Sequence, residues 1–429
     1  MKKSKLLKAL CGICAVGMML TACGPAGEPG SQAASTGEPG SQAASTGKTL
    51  TYWSMWNSTE GQAKVIQEAA DAYEAATGIK INIEWKGRDV KNLIAPALDA
   101  GEQIDIFDQD YVFISDNASK YAADVTQMVA DAGLEEHMLP VLVETAKSYN
   151  DGALKVIPYQ PYTSGVWYNK AMFEAAGIEN VPTTFDELLD VCEALKASGV
   201  NPMTCDSGDG TALLMGYQLA RYLGQDGVLD LVNNAKWAEV PEAKKAAEDI
   251  YTLFSSGYMS EYAPANYPDG ENELGYGETA MLLQASWVPN EVVQNTGAEI
   301  EWGFFPWPEV EGGVDGVEAA MVGAQGYAIV ENSQYKQEAF DFIQTVVTGE
   351  IDLKMAQAVS SIPADTANTE WPQAVSGAEP YFKQMTKSYL WAVGLQQNGN
   401  YKDYIQEAIN QLCKMEIDAT GFIDALSNL

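Results

Sequence analysis

One histidine, His137, in a chain that carries 59 carboxylates, ten tryptophans and 21 tyrosines, removes every mechanism that needs a histidine pair. It sits in the polar, helix-like stretch Glu135-Glu136-His137-Met138 and reads as a surface residue. Cys192, Cys205 and Cys413 are an odd set with no C-x-x-C spacing, which disfavours zinc and fits small buried thiols better than a disulfide. Gly-x-Ser-x-Gly and Gly-x-Gly-x-x-Gly are absent, no pair of acids is singled out by spacing, and Gly275-Tyr276-Gly277 stands alone in a turn. No catalytic group, metal or cofactor is expected. The chemistry left is non-covalent: flat aromatic surface, many acceptors, and two arginines, Arg88 and Arg221, too few for a strong anion clamp.

The formal charge of −34 repels phosphate backbones and anionic lipid, so neither nucleic acid nor a charged membrane surface is an expected partner. A neutral small ligand fits this surface better than an anionic one. At the start of the chain, Lys2, Lys3, Lys5 and Lys8 precede an apolar run from Ala9 to Leu20, then Leu20-Thr21-Ala22-Cys23. This is a secretory signal pattern, and the run is too short for a permanent span. Its cysteine resembles the lipobox of bacterial lipoproteins, which implies cleavage after residue 22 and a lipid on Cys23 at the extracellular face of the cell membrane. Residues 23–47 contain GEPGSQAAST twice in tandem, from Gly27 and from Gly37, and read as a flexible leash.

The chain beyond Lys48 exceeds the roughly 250 to 300 residues at which one core divides, so two lobes are expected. Strand-like Thr49 to Trp53, a helix from Gly61 to Ala76 closed by Gly78, alternating Lys80 to Trp85, a helix from Val90 to Ala100 and strand-like Ile104 to Phe107 give βαβαβ. That order implies an α/β fold with a parallel sheet, whose ligands sit beyond the carboxyl ends of strands. The loops Trp53 to Thr59 and Asp108 to Phe113 lie there.

TLTYWSMW, EAATGIKINIEW, EQIDIFDQD, VWYNKAMFEAAGIENVPTTFDELLDVCEAL and GETAMLLQASWVPNEV, in this order, resemble family 1 extracellular solute-binding proteins, the maltose-binding-protein-like sugar receptors of ABC importers. The resemblance runs from about residue 49 to the C-terminus. It implies a monomer of two mostly parallel α/β lobes, joined by crossing hinge strands and closing on carbohydrate for delivery to a membrane permease. Residues 48–157 and 306–355 would form the N-terminal lobe, and 158–305 and 356–429 the C-terminal lobe. Ile157 to Tyr162 reads as the first crossing and Ile300 to Phe305 as the second, with a third after a helix from Tyr335 to Val347. Thr184 and Glu187 form a capping-box pattern, so that hallmark is structural.

A pyranose offers an apolar face and a rim of hydroxyls, so its site needs aromatic planes and fixed hydrogen-bonding groups. The resemblance points to Trp56 and Asn57 after the first strand, where Asn57 otherwise serves as a turn or cap. Asp110, with Asp108 as the alternative, would hold a hydroxyl, and Tyr162 would face the cleft from the first crossing. Trp287, Asp209 and Trp391 would complete the second wall. Trp307, between Pro306 and Pro308, either lines the cleft or plugs the hinge. Abundant aromatics favour an oligosaccharide. A carbohydrate-active hydrolase and a non-transport adhesin lipoprotein are the competing readings.

Overall fold

The computed structural model describes residues 47–427; the signal segment, Cys23 and the tandem repeats through Thr46 lie outside the described residues. Strand β1 (Thr49–Ser54) leads into helix α1 (Gly61–Thr77), which buries Val65, Ile66, Ala69, Ala70 and Tyr73 on one face. Gly78 ends that helix at φ 72, a left-handed conformation that costs glycine nothing, and its N–H reaches the Glu74 carbonyl at 2.8 Å. Strand β2 (Lys80–Trp85) pairs parallel with β1 along its whole length. Helix α2 (Val90–Asp99) returns the chain to strand β3 (Ile106–Asp110), also parallel to β1. The βαβαβ unit has the sheet order β2-β1-β3.

Strand β4 (Ile157–Asn169) makes the fold two-lobed. From Ile157 to Thr163 it pairs antiparallel with a late strand, and from Ser164 to Tyr168 with β6 (Thr279–Ala285), which is itself parallel to β5 (Asn201–Met203). A single continuous strand thus belongs to both sheets. β7 (Trp302–Phe305) pairs only with the far half of β4, Val166 to Asn169. After the two-residue β8 (Ala319–Ala320), β9 (Val322–Ile329) bonds β3 on one side and the near half of β4 on the other. The return crossing is therefore β9, not Ile300 to Phe305. Both stretches are apolar enough for a strand, and the partner each finds is a non-local matter.

Residues flanking the crossing follow the same logic. Trp307 is completely buried, donates from Nε1 to Gln218 Oε1 at 2.7 Å, and its carbonyl accepts from Arg221 at 2.6 Å. It packs in the second lobe, as a plug rather than a cleft wall. Helix Gly349–Val359 follows helix Lys336–Val347 almost directly and packs on α1, and Asp365 accepts from His137 Nδ1 at 2.8 Å. By their contacts, then, residues 306–318 lie with the second lobe and 356–366 with the first, opposite to the sequence assignment. The Thr184 and Glu187 capping box is formed, and Cys192, Cys205 and Cys413 are separate buried thiols.

Candidate functional site

The carboxyl ends of β1 and β3 and the middle of β4 converge on one cleft. In the loop after β1, Trp56 is buried and donates from Nε1 to Tyr159 Oη at 2.6 Å; Tyr159 in turn donates to Asp108 Oδ2 at 2.5 Å. Asp108 Oδ1 accepts the Met55 N–H at 2.7 Å. Asp108 is fully buried and pushed up to about 6 by desolvation, so it braces the cleft wall from behind instead of facing a ligand. Arg88 lies over the Trp56 ring at 4.4 Å, bonds the Met55 carbonyl and forms a two-point pair with Glu60. Its charge is matched within the protein, which leaves no anion clamp there.

Between the lobes lies a cavity of 530 Å³, walled by Trp56, Tyr162 and Trp287. Its polar lining includes three side chains with a buried, unpartnered oxygen: Gln160 Oε1, Gln325 Oε1 and Ser361 Oγ. Gln160 occupies a bulge where the β4–β9 register shifts, with φ 44, a strained value for a residue with a Cβ. Buried polar atoms without partners are rare in folded proteins, and in a cavity lining they are acceptors that a bound ligand or water would satisfy. Sequence reasoning missed all three. The one local signal was the proline-flanked run from Ile157 to Tyr162, which brackets Gln160.

Two further cavities adjoin the first. One of 570 Å³ is lined by Asp110, Tyr162 and Trp391, and one of 340 Å³ by Asp209, Trp287 and Trp391. The seam between the three is an aromatic row: Tyr162 meets Trp287 edge-on at 5.5 Å, and Trp287 lies nearly parallel to Trp391 at 6.0 Å. Asp110 Oδ1 caps the short helix Tyr111–Ser115 through Val112 and Phe113, and Oδ2 accepts Tyr162 Oη at 3.0 Å. Burial raises it above the usual carboxylate range. Asp209 Oδ1 accepts Trp391 Nε1 at 3.2 Å. Six of the seven expected residues thus line this group of cavities. Asn57 does not: it is exposed in the turn after β1, its carbonyl accepting the Glu60 N–H at 3.0 Å and its side chain beside Gly87.

These features, a shared crossing strand and an interlobe cleft of aromatic and unpartnered polar groups, coincide with a family match. Residues 56–350 fit the model of the bacterial extracellular solute-binding proteins. The chain belongs to this family. Among curated relatives of this solute-binding protein, the lactose-binding protein of Rhizobium radiobacter is 24% identical, over 67% of this chain and 68% of that one. The multiple sugar-binding protein of Streptococcus mutans is 23% identical over 77% of each. A probable secreted solute-binding lipoprotein from Streptomyces coelicolor has the same fold, with a TM-score of 0.74 at 19% identity, covering 89% of this chain and 98% of that one. The family and these neighbours are binding proteins.

Two expectations arise from this geometry. In the β4–β9 ladder Gly323 stands opposite Tyr162, and a Cβ there would lie 2.3 Å from Tyr162 Cζ and 2.4 Å from its Oη. Gly323→Ala should therefore push Tyr162 off Asp110 and weaken ligand binding roughly tenfold, the scale of a modest overpacking penalty. Calorimetry checks this, and unchanged affinity would remove Tyr162 from the site.

The second concerns pH. Burial raises Asp108, Asp206 and Asp352 to about 6 each. A raised folded value gives stability that is complete below the unfolded value near 4 and is lost as pH climbs through 6. Glu187, Asp230 and Glu338 are held below their usual range by Thr183, Lys236 and Lys48, so their share is lost on acidification below about 4. Thermal stability should peak between about pH 4 and 6 and decline toward 8. A maximum at pH 7.5 or above in melting scans would contradict it.

Proposed function

We propose that this protein captures a carbohydrate, with an oligosaccharide favoured, in the interlobe cleft and delivers it to the permease of an ABC importer. A lipid on Cys23 would hold it at the outer face of the cell membrane, with the chain acting as a monomer. The observation that carries the reading is the 530 Å³ cavity, whose lining combines the Trp56, Tyr162 and Trp287 rings with the unpartnered oxygens of Gln160, Gln325 and Ser361. Flat rings suit the C–H faces of a sugar, and fixed oxygens suit its hydroxyls. The relatives' own ligands, by their names lactose and multiple sugars, agree with it, as does a chitin oligosaccharide binding protein with the same fold.

In this reading the first lobe comprises the β1-to-β4 region with β9 and the helices to about residue 366, and the second comprises the rest. Ligand docks on one lobe, the crossing strands bend, and closure presents the closed form to the permease. A hydrolase needs two carboxylates flanking a bond; in the first cavity Glu60 is committed to Arg88, which leaves Glu291 without an opposing acid among the lining residues. An adhesin has no use for a buried polar-aromatic cleft. The test is calorimetric titration of residues 24–429 against a panel of mono- and oligosaccharides, with chromatography of the mixtures after a day. Saturable binding without breakdown is the expected result. Breakdown would restore the hydrolase, and silence across the panel would favour a non-sugar solute.

A further inference from the structure

The 340 Å³ chamber beside Trp287 has a composition that a neutral sugar does not explain. Its lining holds three carboxylates, Asp206, Asp209 and Glu291, and three aromatic rings, Tyr267, Trp287 and Trp391, but no lysine or arginine. Asp206 is 3% exposed; its Oδ1 accepts the Gly270 N–H at 2.8 Å while Oδ2 has no partner. Glu271, fully buried beside Asp206, lies close enough to Glu291 for the two carboxyls to share one proton, and among the described residues no other group donates to its oxygens. Among the described residues no ion pair forms with Asp206, Glu271 or Glu291.

Buried carboxylates left in this state are costly unless a cation or a proton joins them. Burial, followed for Glu271 by the charges of Glu291 and Asp206, raises Asp206 to about 6 and Glu271 well above the usual range. A metal ion is a poor candidate, because among the described residues no group of three or more acids, histidines or cysteines is placed to hold one. An ammonium group asks less: it donates to separate acceptors and also gains from ring faces around it.

We propose that the ligand is an amine-bearing saccharide, its sugar ring against Trp287 in the large cavity and its ammonium group in the chamber, between Asp206, Glu291 and the rings of Tyr267 and Trp391. Trp287 and Glu291 line both cavities, so the two are neighbours on either side of these side chains, within the span of one oligosaccharide. This rests on the carbohydrate reading and narrows it.

The test titrates residues 24–429 with three β-1,4-linked trisaccharides that differ only at C2: the glucosamine trimer, its N-acetylated form and cellotriose. At about 0.15 M salt, where the screening length is ~8 Å, the diffuse pull of the acidic surface is damped. The glucosamine trimer should bind roughly tenfold or more tighter than either neutral trimer, the scale of a charge-assisted bond. Asp206→Asn should bring that ratio close to one, and Glu291→Gln serves as the second variant should the first not fold. Equal or tighter binding of a neutral trimer overturns the ammonium site and leaves the carbohydrate reading standing, as does a preference that survives both substitutions. Binding of none of the three overturns the ammonium site, and the carbohydrate reading is then decided by the wider sugar panel.

Discussion

Trp287→Ala is expected to weaken carbohydrate binding by roughly ten- to a hundredfold, the ~1.5 to 3 kcal/mol of a large ring whose face is lost to the ligand. The magnitude follows from position. Trp287 lines both the 530 Å³ and the 340 Å³ cavities, touches Tyr162 edge-on and lies nearly parallel to Trp391. Its removal takes away one wall and leaves two neighbouring rings without their packing partner. It starts a helix, Val288–Thr296, and is only partly buried, so the fold should survive. Trp307→Phe is the matched comparison. That ring is wholly inside the second lobe, and its loss of the Gln218 bond should lower the melting point while leaving affinity as it was. Isothermal calorimetry on both variants decides the matter, and a Trp287→Ala protein within threefold of the parent would sink the site as drawn.

Asp108→Ala should be the most damaging single substitution near the cleft, at about 3 to 5 kcal/mol of stability. It removes the acceptor for Met55 N–H and Tyr159 Oη at once, at a position with no access to water. The loss then passes along a chain of bonds to Trp56, whose Nε1 depends on Tyr159. Affinity should fall with stability, because Trp56 is itself a cleft wall. Asp108→Asn keeps one acceptor and the shape, and should cost less than half as much. Urea midpoints for the pair provide the check; a drop under 1 kcal/mol for the alanine variant would mean that these bonds contribute little.

Much of the first lobe was legible because its signals are local. The helical spacing of Val65, Ile66, Ala69, Ala70 and Tyr73, the glycine stop at 78 and the alternation of Ile81, Ile83 and Trp85 each reflect backbone periodicity. The capping box at Thr184 is equally local. The assignment of crossings failed for the opposite reason. Ile300 to Phe305 and Val322 to Ile329 are both apolar runs, and only pairing with β3 distinguishes the strand that returns. The site divides along the same line. The aromatic residues Trp56, Trp287 and Trp391 at element ends and Tyr162 in the crossing strand were visible by type and by resemblance, whereas Trp307 has the same type and a buried role. Gln160, Gln325 and Ser361 come from three distant stretches and become a group only through the β4–β9 ladder and the helix that ends at Val359.

Gln160 occupies a place with two duties. It is the bulged residue in the one strand common to both sheets, and its side chain is part of the cleft lining. In the proposed reading a molecule held there would touch the joint itself, and occupancy and lobe angle would then be bound by reciprocal linkage: whatever bends the strand would alter grip, and whatever is gripped would alter the bend. For sensor design this means that a dye pair straddling β4 would read filling of the cleft directly, with no relay through the helices. It also means that easing the backbone at this position, by Gln160→Gly for instance, would retune the sensor's range and its signal together.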